Sequence, residues 1–177
     1  MIRRMKIIGT VTLFLLVLVL LIASNKPDQF RVERSLVVNA PADSIRGYIT
    51  DFHQWILWSP YEAKEPTMPR TYEGPSSGTG SVYSWKGEQV GSGRMEILDV
   101  RPEKIMIKLD FSAPFEAHNT AEFLLEPQQS GTKVSWVMYG PNNFMSKVMG
   151  VFFSMDSMVG KDFEKGLQNL SLLAAEH

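Results

Sequence analysis

The side chains best suited to moving a proton near neutral pH are His53, His118 and His177. A general base needs a partner that orients it, and neither His53 nor His118 has a carboxylate at a spacing that clearly supplies one. Either could serve a cyclisation or dehydration, but the plainer reading of each is a polar surface histidine. Polar residues that share a strand face with apolar ones form a second set. Arg34 has the parity of Val32 and Leu36, Asn119 that of Ala121 and Phe123, and Arg94 begins a strand of ambiguous register. A buried arginine without an anion is costly. Arg34 or Arg94 inside a hollow would therefore point to a carboxylate or phosphate ligand, or to an internal acid. The alternative is a strand end that reaches solvent.

A third set is aromatic. Trp55 and Trp58 could edge a pocket or simply pack a helix against a sheet. Tyr83 and Trp85 share one parity, as do Trp136 and Met138, and Phe111 and Phe123 lie on apolar strand faces. Farther on, Met149 and Phe153 could add to the same lining. Aromatic walls with an occasional polar tip suit a small-molecule pocket, though core packing produces the same pattern. Ser77-Gly78-Thr79-Gly80 lacks the length and lysine of a phosphate loop, and Asn169-Leu170-Ser171 is a glycosylation sequon inside a helical pattern.

Composition removes several classes. With 18 basic and 19 acidic side chains there is no electrostatic footprint for nucleic acid. The absence of cysteine excludes disulfides, thiolate nucleophiles and thiolate metal sites. Three scattered histidines argue against a histidine-rich metal site, and no cofactor is expected. Ten methionines and ten phenylalanines suit a soft core or a cavity of loose specificity.

The elements that must position these residues follow from periodicity. Phe30 to Val38 reads as a strand, and Asn39-Ala40-Pro41 opens a helix with Ile45, Tyr48, Ile49 and Phe52 on its apolar face. After Trp55–Pro60, the stretch Tyr61–Gly80 reads as a loop. Ser81–Lys86, Gly93–Val100, Lys104–Phe111, Ala117–Glu126 and Thr132–Gly140 read as strands of an antiparallel meander. A sheet with one apolar face needs a cover. Helical spacing from Phe144 through Leu173 predicts one long C-terminal helix, with Gly160 and Gly166 allowing close approach or a bend.

The chain opens on a basic head, residues 1–6 with Arg3, Arg4 and Lys6, followed by an uncharged apolar run, 7–23. That run would form a helix of roughly 26 Å, close to one hydrocarbon core. It is longer than a usual cleavable signal, and Leu21-Ile22-Ala23-Ser24 places leucine where a small residue belongs. An uncleaved single-pass anchor is the preferred reading, with a cleaved signal next and a buried helix of a soluble protein last. The basic head predicts a cytoplasmic N-terminus, so the remainder would lie outside the plasma (inner) membrane. Residues 24–29 form a polar linker and 30–177 one domain.

Within 30–177 the chain resembles the helix-grip (SRPBCC) superfamily of START lipid-transfer domains, birch-pollen-type allergens and polyketide cyclase/dehydrase-like proteins, and within it the bacterial polyketide cyclase-like branch. The resemblance is carried by Ala40-Pro41-Ala42, Trp58-Ser59-Pro60, Tyr72-Glu73-Gly74-Pro75 and Gly78 to Trp85. Gly91 to Met95, Gly131 to Trp136 and Gly160 to Leu167 continue it in order. It implies an α+β fold: a curved antiparallel sheet of six or seven strands around a C-terminal helix, with a hollow between them. It implies a pocket and no particular reaction. The expected function is a membrane-anchored binding or carrier domain for a hydrophobic small molecule or lipid-like ligand, more a binder than an enzyme. One alternative is a cyclase or dehydratase using a polar pair among His53, Arg94, His118 and Asn119. Another is a protein-interaction domain.

Overall fold

A computed structural model describes residues 2–175, so His177 and the end of the 30–177 domain lie outside the described residues. The side chains of Arg3 and Arg4 in the basic head also lie outside them. Helix α1 (Ile2–Ser24) is followed by strand β1 (Gln29–Val38), helix α2 (Ala42–Thr50) and two short helices, α3 (Trp55–Trp58) and α4 (Pro60–Lys64). Strands β2 (Arg70–Glu73), β3 (Val82–Lys86), β4 (Ser92–Val100), β5 (Lys104–Ala113), β6 (Ala117–Gln128) and β7 (Gly131–Pro141) come next. Helices α5 (Phe144–Met149) and α6 (Met155–Ala175) end the described chain.

The strands form one seven-stranded antiparallel sheet in the order β1-β7-β6-β5-β4-β3-β2, and α6 packs on its apolar face, chiefly along β1 and next to β7. Alternation explains the burial. Ile105, Ile107 and Leu109, then Ala121, Phe123 and Leu125, then Val134, Trp136 and Met138 all point inward and are buried. Helix α6 answers with Phe163, Leu167, Leu170 and Ala174. Each fully buried large side chain among them contributes about 1.5–3 kcal/mol. Close approach is possible because a Cβ on Gly166 would stand 2.6 Å from Trp136 Cζ3 and 3.1 Å from Pro60 Cδ. A Cβ on Gly160 would overlap the guanidinium of Arg34. Both glycines serve close packing rather than a bend.

Two sequence expectations are corrected. The stretch Tyr61–Gly80 is not all loop, since it holds most of α4 and all of β2. Ser59 ends α3, and Pro60 at the first helical position starts α4, a start signal that the surrounding Pro, Glu and Gly residues obscure. The C-terminal helical pattern is broken in two. Turns over 150–154 separate α5 from α6, and Ser154 restarts the helix by accepting a hydrogen bond from Ser157 N at 3.0 Å through its side chain.

The sheet has two unlike ends. At one lie the start of β1, the end of β7, the β3–β4 turn and the β5–β6 turn. At the other lie the β4–β5 and β6–β7 turns and the passage from β1 into α2. Ile45 and Ile49 of α2 fill the interior towards that second end. The first end, where α1 joins the domain, is left less filled. Helix α1 itself is long and apolar enough to span a membrane and stands exposed, with only Ala23 buried among its described side chains. It is therefore not a core helix of the domain.

Candidate functional site

The space between α6 and the α1-proximal half of the sheet is a cavity of about 270 Å³. Its walls are mostly apolar. Trp85, Met95, Leu109, Phe111, Ala121 and Met138 come from the sheet, and Met155, Val159 and Phe163 from α6. Trp55 closes the deep side, its indole N–H donating to Ile49 O at 3.0 Å so that α3 is fixed to α2. Trp136 stacks on Phe163 with centroids 4.2 Å apart, and this stack joins β7 to α6. Exposed Lys64 on α4 and Gln89 in the β3–β4 turn are lining residues, so they mark the mouth.

One wall carries a polar cluster. The Tyr83 hydroxyl donates to Glu62 Oε1, and Arg70 Nε donates to Glu62 Oε2 at 2.7 Å. Glu62 is only 5 % exposed, and those two donors satisfy its two carboxylate oxygens away from water. Arg70 is fixed in turn by donating to Met68 O at 2.7 Å and Pro66 O at 3.1 Å. Burial, then the hydrogen bond to Glu62, pushes the Tyr83 phenol well above the usual tyrosine range. Burial likewise raises Tyr61, helped by Asp162. For Arg70, burial opposes the charged form, but the Glu62 contact prevails and raises its pKa. Both phenols therefore stay protonated at neutral pH, and Tyr83 presents an oxygen that can accept a hydrogen bond from a ligand. The mouth has its own fixings. Lys64 Nζ meets Asp162 Oδ2 of α6 at 2.6 Å. The Glu65 carboxylate accepts from Glu88 N and Gln89 N at 2.9 Å and from Val90 N at 3.3 Å, holding the β3–β4 turn.

Of the residues singled out in the sequence, Trp55, Tyr83, Trp85, Phe111, Trp136 and Met138 line this cavity. Trp58 and Phe123 do not; they are buried behind it, Trp58 donating to Tyr48 O at 3.2 Å. Asn119 is buried against Gly140, where a Cβ would overlap its side-chain oxygen. Arg94 faces the opposite side of the sheet and pairs with Glu96 at 2.8 Å, because the β4 register turns Met95 inward instead. Met149 and Phe153 lie outside the cavity and exposed, because the helix breaks before Phe153 can turn inward.

The proton-moving candidates do not converge there either. His53 stacks on Tyr72 at 4.0 Å and meets Asp51 Oδ1 at 2.9 Å. His118 meets Asp110 Oδ1 at 2.8 Å in a shallow outer depression shared with Arg94. Arg34 lies outside the cavity and reaches the surface, where it pairs with two exposed acids of α6, Asp156 Oδ1 at 2.7 Å and Glu164 Oε1 at 2.6 Å, and clamps β1 to α6. The Asn169 side chain donates to Trp58 O at 3.0 Å and so joins α6 to α3. Among the described residues no three His, Asp or Glu side chains converge on a metal-sized site.

Glu62 and Arg70 went unseen because both fall in the stretch that reads as loop. The signal available was Ser59-Pro60 followed by Glu62, an acidic residue in a first helical turn.

A family model described as polyketide cyclase / dehydrase and lipid transport matches residues 29–174. No curated protein matches the chain. Among solved structures, protein CV1439 from Chromobacterium violaceum is 16% identical with TM-score 0.57, over 84% of this chain and 98% of that one. Protein NE0264 from Nitrosomonas europaea is 12% identical with TM-score 0.54, over 82% and 94%. The di-domain ARO/CYC StfQ from the steffimycin biosynthetic pathway is 12% identical with TM-score 0.61, over 84% of this chain and 51% of that one. At such identities the likeness is one of fold.

Proposed function

The chain belongs to the polyketide cyclase/dehydrase and lipid transport family, and we propose that it is a membrane-tethered binding domain for a small, largely apolar, lipid-like molecule. The observation that carries this reading is an apolar cavity with one polar cluster, Glu62–Tyr83–Arg70, on its wall. Such a site buries an apolar body and orients one polar group. At about 270 Å³ the cavity lies near the small end of ligand pockets, roughly 300–1,000 Å³. It therefore suits a compact ligand, or a longer one whose tail leaves through the mouth.

Helix α1 supplies the tether. The helix is apolar on every face and, apart from its last turn beside α5, is not covered by its own domain, which suits a surrounding bilayer. On this reading residues 1–6 lie in the cytoplasm, 7–23 cross the plasma membrane, 24–29 link, and the domain from residue 30 onward faces the far side. Native mass spectrometry of the full chain, extracted in mild detergent, tests the reading. An apolar molecule should remain bound after detergent removal in the gas phase, and an empty cavity that rejects apolar probes would count against it.

A second reading is catalytic. Glu62 and the Tyr83 hydroxyl share a hydrogen bond at the cavity wall, an arrangement able to relay a proton to a bound ligand. The family's description as polyketide cyclase / dehydrase gives that reading a chemical direction, ring closure or loss of water. Loss of turnover in Tyr83→Phe with ligand binding retained would separate it from simple binding.

A further inference from the structure

Six large apolar side chains stand uncovered at the end of the domain where α1 leaves it: Phe144, Met145, Met149, Phe152, Phe153 and Met158. Phe152 and Phe153 are 63% and 61% exposed, although a break between helices normally places polar residues in water. Met145 and Met149 stand one turn apart on α5, so they share its outward face. Large exposed apolar side chains gathered within residues 144–158 mark a docking site.

The occupant is fixed by what the patch is attached to. Helix α5 packs against α1. Asn142 N donates to Asp28 O at 2.8 Å, and its side chain donates to Pro27 O at 3.0 Å. Lys147 Nζ meets Asp28 Oδ1 at 2.6 Å. These contacts hold the patch beside the last turn of α1, whose outward residues Leu21 and Ile22 are also exposed. The charge pattern agrees: residues 141–155 contain no acid, and the one base, Lys147, is already paired. The acids beside it, Asp28 and Asp156, are each paired with a cation, Lys147 at 2.6 Å and Arg34 at 2.7 Å, so the patch carries no unpaired carboxylate towards an anionic headgroup layer. The cavity mouth opens towards the same end, bordered by Gln89 of the β3–β4 turn and Met155 at the start of α6.

We propose that α5 and the turn after it are seated in the headgroup–acyl boundary of the bilayer that α1 crosses, so that the cavity mouth faces the membrane surface. This rests on the reading of α1 as a membrane span. The seat would be about 5–10 Å deep, as for interfacial amphipathic helices. A ligand could then move between bilayer and cavity with little exposure to water.

The absence of cysteine makes single-site labelling clean. Full-length Phe153→Cys, Met145→Cys, Leu16→Cys and Glu103→Cys variants would be labelled with a fluorophore and reconstituted into phosphatidylcholine–phosphatidylglycerol vesicles carrying spin-labelled lipid quenchers. Leu16 reports the span, and Glu103, in the turn at the opposite end of the sheet, reports the bulk solvent side. The expected result is stronger quenching by shallow than by deep quenchers at positions 153 and 145, as for groups inside the boundary region. Position 16 should be quenched by deep quenchers and position 103 by neither. Quenching at 16 with none at 153 and 145 would overturn the proposal while leaving the tether intact. No quenching at 16 would remove the tether and the proposal together. Self-quenching between fully labelled copies at 153, without lipid quenching, would assign the patch to a second copy of the chain and overturn the membrane assignment.

Discussion

Replacing Arg70 with methionine removes the cation from a carboxylate that is 5 % exposed while keeping much of the apolar stem. The arginine side chain is itself only 14% exposed, so the pair belongs with buried ion pairs rather than surface ones. Breaking a buried pair from one side costs about 3–5 kcal/mol, because the other charge is left uncompensated. Tyr83 still donates to Glu62 in the variant, which places the expected loss at the lower bound, about 3 kcal/mol. For a domain near 150 residues that lowers Tm by roughly 6–12 °C. Glu62→Gln in the Arg70→Met background removes the stranded charge and should recover about 2 kcal/mol or more. The assay is urea unfolding in detergent, followed by fluorescence of the four tryptophans. A coupling energy of about 0.5 kcal/mol or less, the scale of an exposed pair, would refute the argument that the cluster is sequestered from water.

Gly166→Ala should destabilise by about 1–3 kcal/mol before any helix-propensity gain, since the new methyl meets Trp136 and Pro60 in a packed core. Gly160→Ala should be near neutral, because the group it displaces is the end of a flexible arginine and the helix gains about 1 kcal/mol in propensity; thermal melts of the two rank them. The Asp110 hydrogen bond raises the His118 pKa above its ordinary value near 6.5, so this interaction stabilises fully below about pH 6.5 and is lost as pH rises through the folded pKa. An NMR titration should show the raised value falling back in Asp110→Asn. The backbone N–H groups of Glu88 and Gln89 lower the Glu65 pKa, so its anchoring of the β3–β4 turn is complete above about pH 4.5 and lost as pH falls through the folded value. Glu65→Ala should speed amide exchange at residues 88–90 without altering exchange in β6 and β7.

The sheet was legible because its signal has period two. Ile105, Ile107 and Leu109 could only face one way, and short turns left few alternatives to a meander. The cavity walls were legible for the same reason, so the parity of Tyr83 with Trp85 and of Trp136 with Met138 carried directly into the structure. Helix breaks were not legible. Met149 and Phe153 fit a helical repeat as well as Phe163 does, and only the turns over 150–154 place them outside. Polar function was hidden for a different reason. Glu62 becomes meaningful through Tyr83 and Arg70, partners 21 and 8 residues away that meet it only after β2 and β3 pair. His53 and His118 stood out by residue type, yet both lie outside the cavity.

The claim that this space holds a ligand is tested most directly by blocking it. Ala121 lines the cavity without filling it, so Ala121→Trp should occupy the volume that a bound molecule would take. Full-length wild type and variant, purified identically and matched for Tm, would be compared by native mass spectrometry and by extraction of bound apolar compounds. A discrete apolar species should accompany the wild type and be lost in the variant. The same species at equal occupancy in both proteins, or in neither, would contradict it.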